Sequence, residues 1–100
     1  MKLAMLAAAA ALLAAGPARA DEALAKKHNC LACHRLDKRT LGPAYRDVAT
    51  RYRGQNVAAK LEQKVKNGGE GAWGNIPMPP NAAVPEGDIR KLVDWILKMR

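Results

Sequence analysis

A chain of 100 residues with 17 Lys and Arg, 9 Asp and Glu, and two cysteines has room for one small domain and excludes a two-domain enzyme. Lys2 and Arg19 are the only charged residues among the first twenty, so residues 21–100 keep 15 basic and 9 acidic side chains, a net charge of +6. Those 80 residues hold no Phe and only Tyr45, Tyr52, Trp73 and Trp95 as aromatics. Domains of this size bury only roughly 60 to 65% of their unfolded surface and usually need a disulfide, a metal or another staple.

Met1-Lys2 precedes an uncharged apolar run from Leu3 to Ala15, followed by Gly16-Pro17 and the small-residue triplet Ala18-Arg19-Ala20. The pattern predicts an export signal cleaved after Ala20, leaving residues 21–100 as the mature domain. The 13 residues of the run, at about 1.5 Å each, reach about 20 Å, too short for a hydrocarbon core of roughly 30 Å. No arginine pair precedes it, so the chain is expected to cross unfolded and acquire any bound group afterwards. The expected compartment is oxidising, the periplasm in a Gram-negative source.

Asp21 is the expected N-cap of a first short helix through Glu22, Leu24 and Ala25. Pro43 opens a second segment in which Tyr45, Val48, Ala49 and Tyr52 share one helical face, with Gly54 as its terminator. Asn56 is the expected cap of a third helix, with Val57, Leu61 and Val65 on its apolar stripe and Asn67-Gly68 as its stop. Residues from Gly68 to Val84 show neither helical nor strand periodicity, and a loop of that length in a compact domain implies a function. Beyond Pro85-Glu86, the positions Ile89, Leu92, Val93, Ile96 and Leu97 carry the clearest helical stripe in the chain. With no alternating strand pattern, the expected class is all-α: about four helices wrapped around something.

Cys30-Leu31-Ala32-Cys33-His34 is C-x-x-C-H, the attachment signature of c-type haem. Two thiols at that spacing add across the vinyl groups on one porphyrin edge, and His34 then sits beneath the iron as proximal ligand. A thioredoxin-type disulfide would need a βαβ framework, and a zinc site would need a second half-site; the chain offers neither. For the opposite face, His28 lies six residues before His34 on the wrong side of the ring and reads as a solvated helix-end histidine. Met78 lies 44 residues after His34, and its flanking prolines restrict the backbone and remove N–H donors. It is the expected second axial ligand, since Met/His is a standard pair in cytochromes c.

Leu41-Gly42-Pro43-Ala44-Tyr45-Arg46-Asp47-Val48-Ala49, Lys66-Asn67-Gly68 and Trp73-Gly74-Asn75-Ile76-Pro77-Met78-Pro79-Pro80-Asn81 resemble the small bacterial class I cytochromes c of the cytochrome c-551 (c8) type. The resemblance covers residues 21–100. It implies a class I cytochrome c fold with one covalent haem c, thioether bonds at Cys30 and Cys33, and axial ligation by His34 and Met78. It also implies that the Pro43 carbonyl accepts the other ring N–H of His34, that Trp73 donates to a haem propionate, and that Asn81 reaches towards the Met78 sulfur. Lys64 stands where relatives carry an arginine directed at the propionate, but a lysine cannot make the planar two-pronged contact. Helices one and four are expected on one side of the haem, and helix three with the Pro-rich loop on the other.

Gly69-Glu70-Gly71-Ala72-Trp73-Gly74 matches G-x-G-x-x-G, yet no strand precedes it and Asn75-Ile76-Pro77 follows in place of a helix, so a dinucleotide reading fails. Its glycines are expected to let backbone pass close to the macrocycle. The basic residues are spread along the chain as a mostly solvated face, without the stacking surface of a nucleic-acid binder. The expectation is a monomeric periplasmic one-electron carrier, not an enzyme, whose redox partners (a periplasmic reductase or a membrane cytochrome complex) present acidic docking patches. The alternative is a haem protein with an open sixth position that binds ligands or does redox catalysis; a thiol-disulfide enzyme is the remaining rival.

Overall fold

The computed structural model describes residues 17–100, so the apolar run assigned to export lies outside the described residues. Helix α1 spans Pro17–Lys27. It begins before the expected cap at Asp21, which falls within it. Proline suits the first helical turn, where its missing N–H is not needed, and alanine is the strongest helix former, so Pro17-Ala18 and Ala20 extend the helix backwards. Asn29 then adopts the left-handed conformation (φ 61°) and turns the chain into a single 3-10 turn over Cys30–Ala32.

Helix α2 spans Tyr45–Arg51, α3 spans Ala58–Asn67 and α4 spans Glu86–Leu97. Ala44, the residue after Pro43, takes the cap position of α2. At α3 the cap position is Val57 and not Asn56, which stays exposed one residue short of the helix. Pro85 precedes α4, and its carbonyl accepts from Asp88 and Ile89. Among the described residues there is no β-strand beyond one isolated bridge between Gly69 and Met78. No helix among them is long and apolar enough to cross a membrane.

The last helix organises the rest. Helix α4 packs against α1, α2 and α3, and its stripe of Ile89, Leu92, Val93 and Ile96 is buried with Ala25, Ala44, Tyr45 and Ala49. Polar contacts fasten its first turns. Lys66 at the end of α3 pairs with Glu86 at 2.6 Å, and that partner holds the Glu86 carboxyl below its usual range. His28 Nε2–H donates to the Asp88 carboxylate at 3.0 Å, with side-chain exposures of 14% and 25%. The expectation of a solvated His28 is therefore corrected: α1 docks its C-terminal end against the start of α4, and the imidazole is enclosed at that junction.

Candidate functional site

The fold leaves a cavity of about 380 Å³ whose wall is largely apolar. The attachment turn supplies Cys30, Cys33 and His34; α2 supplies Tyr45 and Val48; α3 supplies Leu61, Lys64 and Val65; α4 supplies Leu92, Val93 and Ile96; and the long loop supplies Trp73 and Met78. Helix α1 contributes no wall residue. The expectation that helices one and four form one side is corrected accordingly, because α1 packs behind α4 and buries Ala25 completely there.

His34 follows the 3-10 turn, with its backbone N–H on the Cys30 carbonyl at 3.0 Å. Its Nδ1 lies 2.9 Å from the Pro43 carbonyl oxygen. A carbonyl only accepts, so Nδ1 carries the proton and Nε2 keeps a free lone pair suited to a metal. Tyr45 stacks on the imidazole at 4.9 Å between centroids, 23° from parallel. The Gly42 backbone lies so close beneath the ring that a Cβ there would stand 2.6 Å from Cε1 and 2.8 Å from Nδ1. The histidine is thus fixed by an acceptor, a stacking ring and a glycine floor.

Met78 is held by its own backbone. It exchanges both bridge hydrogen bonds with Gly69, at 2.7 and 3.0 Å, which pinches the loop shut behind it. Gly68 makes that approach possible: its φ is +75°, and a Cβ would stand 2.5 Å from the Met78 carbonyl oxygen. Gly68 thus serves a contact with Met78 and Gly69 one with the Lys64 stem, whose Cε is 3.2 Å from the Cβ position, while a Cβ at Gly71 would meet no protein atom within 4 Å. Asn81 bonds through Nδ2 to the carbonyls of Val65 and Pro79, at 3.1 and 3.3 Å. Its amide thus ties the loop to α3.

Trp73 lines the cavity, and its indole N–H bonds to no protein atom among the described residues. Lys64 lines it too and has no carboxylate partner among them. Sequence reasoning missed Gly42, Gly68 and the stacking role of Tyr45. Only the Gly-Pro step after the histidine and the Asn-Gly stop of α3 hinted at the first two.

Cys30 and Cys33 are free thiols facing the same cavity. Burial pushes the Cys30 thiol above its ordinary value, and Tyr45 is pushed far above the phenol range by burial and by the adjacent Cys30. Paired thiols, a histidine with a free Nε2, a thioether and an apolar wall together fit a covalently held haem.

That combination of four helices, a C-x-x-C-H turn and one apolar cavity defines a monohaem c-type cytochrome. The sequence matches the Cytochrome c family over residues 18–100, and the chain belongs to that family. It is similar to cytochrome c-552 of Nitrosomonas europaea, 50% identical over 94 residues, covering 93% of this chain and 91% of the relative. It is also similar to cytochrome c-551 of Pseudomonas aeruginosa, 47% identical over 91 residues, covering 89% of this chain and 86% of the relative. Among solved structures, the crystal structure of wild-type Nitrosomonas europaea cytochrome c552 superposes with a TM-score of 0.76 at 45% identity, covering 79% of this chain and 99% of that one. The class I cytochrome fold, the single covalent haem c and the role of electron carrier, not enzyme, follow from this membership.

Proposed function

We propose that the mature chain, residues 21–100, is a monomeric periplasmic shuttle that moves single electrons between respiratory or denitrification partners. In this reading Cys30 and Cys33 hold haem c by thioethers, and His34 and Met78 are the axial iron ligands. When bound, haem c supplies a one-electron Fe(II)/Fe(III) couple. The chain's residues decide what that couple does. His34, held through Nδ1–H by Pro43, presents Nε2, and Met78 closes the opposite position with a soft thioether that favours the reduced state. If His34 and Met78 both hold the iron, the chain would leave small ligands no entry. The apolar wall of Leu61, Val65, Leu92 and Val93 excludes water and disfavours the extra charge of the oxidised state. Trp73 and Lys64 are the candidates for propionate contacts. Leu41 and Ile76, 55% and 57% exposed at the cavity rim, give partners an apolar landing beside the cofactor edge. The net charge of +6 steers the carrier to acidic patches.

The observation that carries the reading is that the free Nε2 of His34 and the thioether of Met78 border one apolar cavity with both cysteines. The test is the visible spectrum of the purified protein. A low-spin reduced spectrum is expected, together with a weak long-wavelength band of sulfur on ferric iron. Met78→Ala should lose that band, lower the potential and admit carbon monoxide. A high-spin resting spectrum, or a reduced wild type that readily binds carbon monoxide, overturns the closed-site carrier in favour of a ligand-binding haem protein.

A further inference from the structure

Two arginines from different parts of the chain converge on the loop segment that carries Trp73. Arg51, the last residue of α2, centres its guanidinium carbon 4.5 Å over the Trp73 ring and 5.5 Å over the Tyr52 ring, and it donates Nη1–H to the Ala72 carbonyl. Arg39 donates Nη2–H to the carbonyl of Trp73 itself. Tyr52 meets the indole edge-on, with centroids 6.4 Å apart. Both arginines stay solvent-exposed, but their guanidinium groups are engaged with this loop.

The segment needs such support. Residues 70–77 are neither helix nor strand, and Gly71 (φ +90°) and Gly74 (φ +122°) bracket the tryptophan. Glycines on both sides give the backbone unusual freedom. Its own closure is one bond, from Gly71 N–H to the Gly74 carbonyl at 3.1 Å. The indole plane must be set by what lies on it. A guanidinium can lie flat on a ring and bond a neighbouring carbonyl from the same rigid plane; an ammonium is a point charge that can sit over a ring but fixes no plane.

We propose that Arg51 is a positioning residue that fixes the plane of Trp73 and so holds the indole N–H towards an acidic group of the cofactor, with Arg39 securing the backbone beneath it. The proposal rests on the haem-carrier reading above. It differs from a simple charge effect in one respect: a lysine at position 51 preserves the charge and loses the plane.

The test uses ¹⁵N-labelled ferrous holoprotein, with the Trp73 indole signal assigned by Trp73→Phe and the Trp95 indole as internal reference. In both Arg51→Gln and Arg51→Lys the Trp73 indole resonance should move, and its exchange with solvent should accelerate roughly two- to fivefold, the range for losing one exposed cation–π contact. The Trp95 signal should not change. The pH at which the reduction potential breaks should rise in both variants, because an acid that loses a donor is harder to ionise. If Arg51→Lys matches the wild type in both readouts, only charge matters and the proposal fails. It fails equally if the indole signal is unmoved in both variants, or if the indole moves and the potential's pH break does not. Should Arg51→Gln not fold, Arg51→Lys and Arg39→Gln carry the same comparison. A missing sulfur band in the wild type would instead sink the carrier reading, so the two failures are distinguishable.

Discussion

At the scale of single residues, the site depends on atoms that are absent as much as on those present. His34 keeps Nε2 free only because Pro43 presents a carbonyl 2.9 Å from Nδ1 and Gly42 leaves room for the ring. Gly42→Ala would place a methyl 2.6 Å from Cε1. The floor is backbone and the ring is held by Tyr45, so neither yields cheaply, and overpacking of this kind costs about 1 to 3 kcal/mol. The expected outcome is a lower denaturation midpoint with unchanged slope, together with an altered haem spectrum as the imidazole shifts. An unchanged melt and spectrum would show that the floor has slack. The two cysteines and His34 that face the cavity were legible in the motif, and Met78 stood out in the sequence between its prolines. Gly42 was not, because a glycine's need for space is a property of what packs over it.

At the scale of elements, α4 is the hub, and its stripe announced this in the sequence. Its partners did not announce themselves. His28 lies 60 residues from Asp88 in the chain, and periodicity carries no information about such a pairing. The bond ties the end of α1, immediately before the attachment turn, to the first turn of α4. Both side chains are mostly enclosed, and hydrogen bonds to a charged partner contribute roughly 1.5 to 3 kcal/mol. His28→Ala is expected to destabilise the holoprotein by about 1.5 kcal/mol in denaturant titration, and Asp88→Asn by less, since its amide can still accept. The double variant should lose scarcely more than His28→Ala alone, since both act on one contact. Full additivity would show that the two side chains do not interact.

At the scale of the whole molecule, the described residues contain eight buried apolar side chains, and Ala25, Ala44 and Ala49 are among them. Ile89 is the one large side chain that is fully buried. A cavity of about 380 Å³ occupies the centre, where α2, α3 and α4 would otherwise meet. Without the cofactor the apolar wall faces water, and the small core cannot offset the conformational entropy of ordering 80 residues. Cys30→Ala with Cys33→Ala is therefore expected to give a chain with little helix by circular dichroism and no cooperative thermal transition. A cooperative melt in that colourless protein would show that the helices suffice by themselves.

The chemistry was settled by local sequence. A C-x-x-C-H spacing and three helical stripes are short-range patterns, and short-range patterns specify haem attachment, helix existence and fold class. The tertiary structure decided which side chains meet across long separations: His28 with Asp88, Arg51 with Trp73, Gly68 with Met78, and α1 behind α4 instead of on the cavity wall. Such pairings depend on how helices cross and where the long loop folds back, and those are settled by packing the whole chain around one centre.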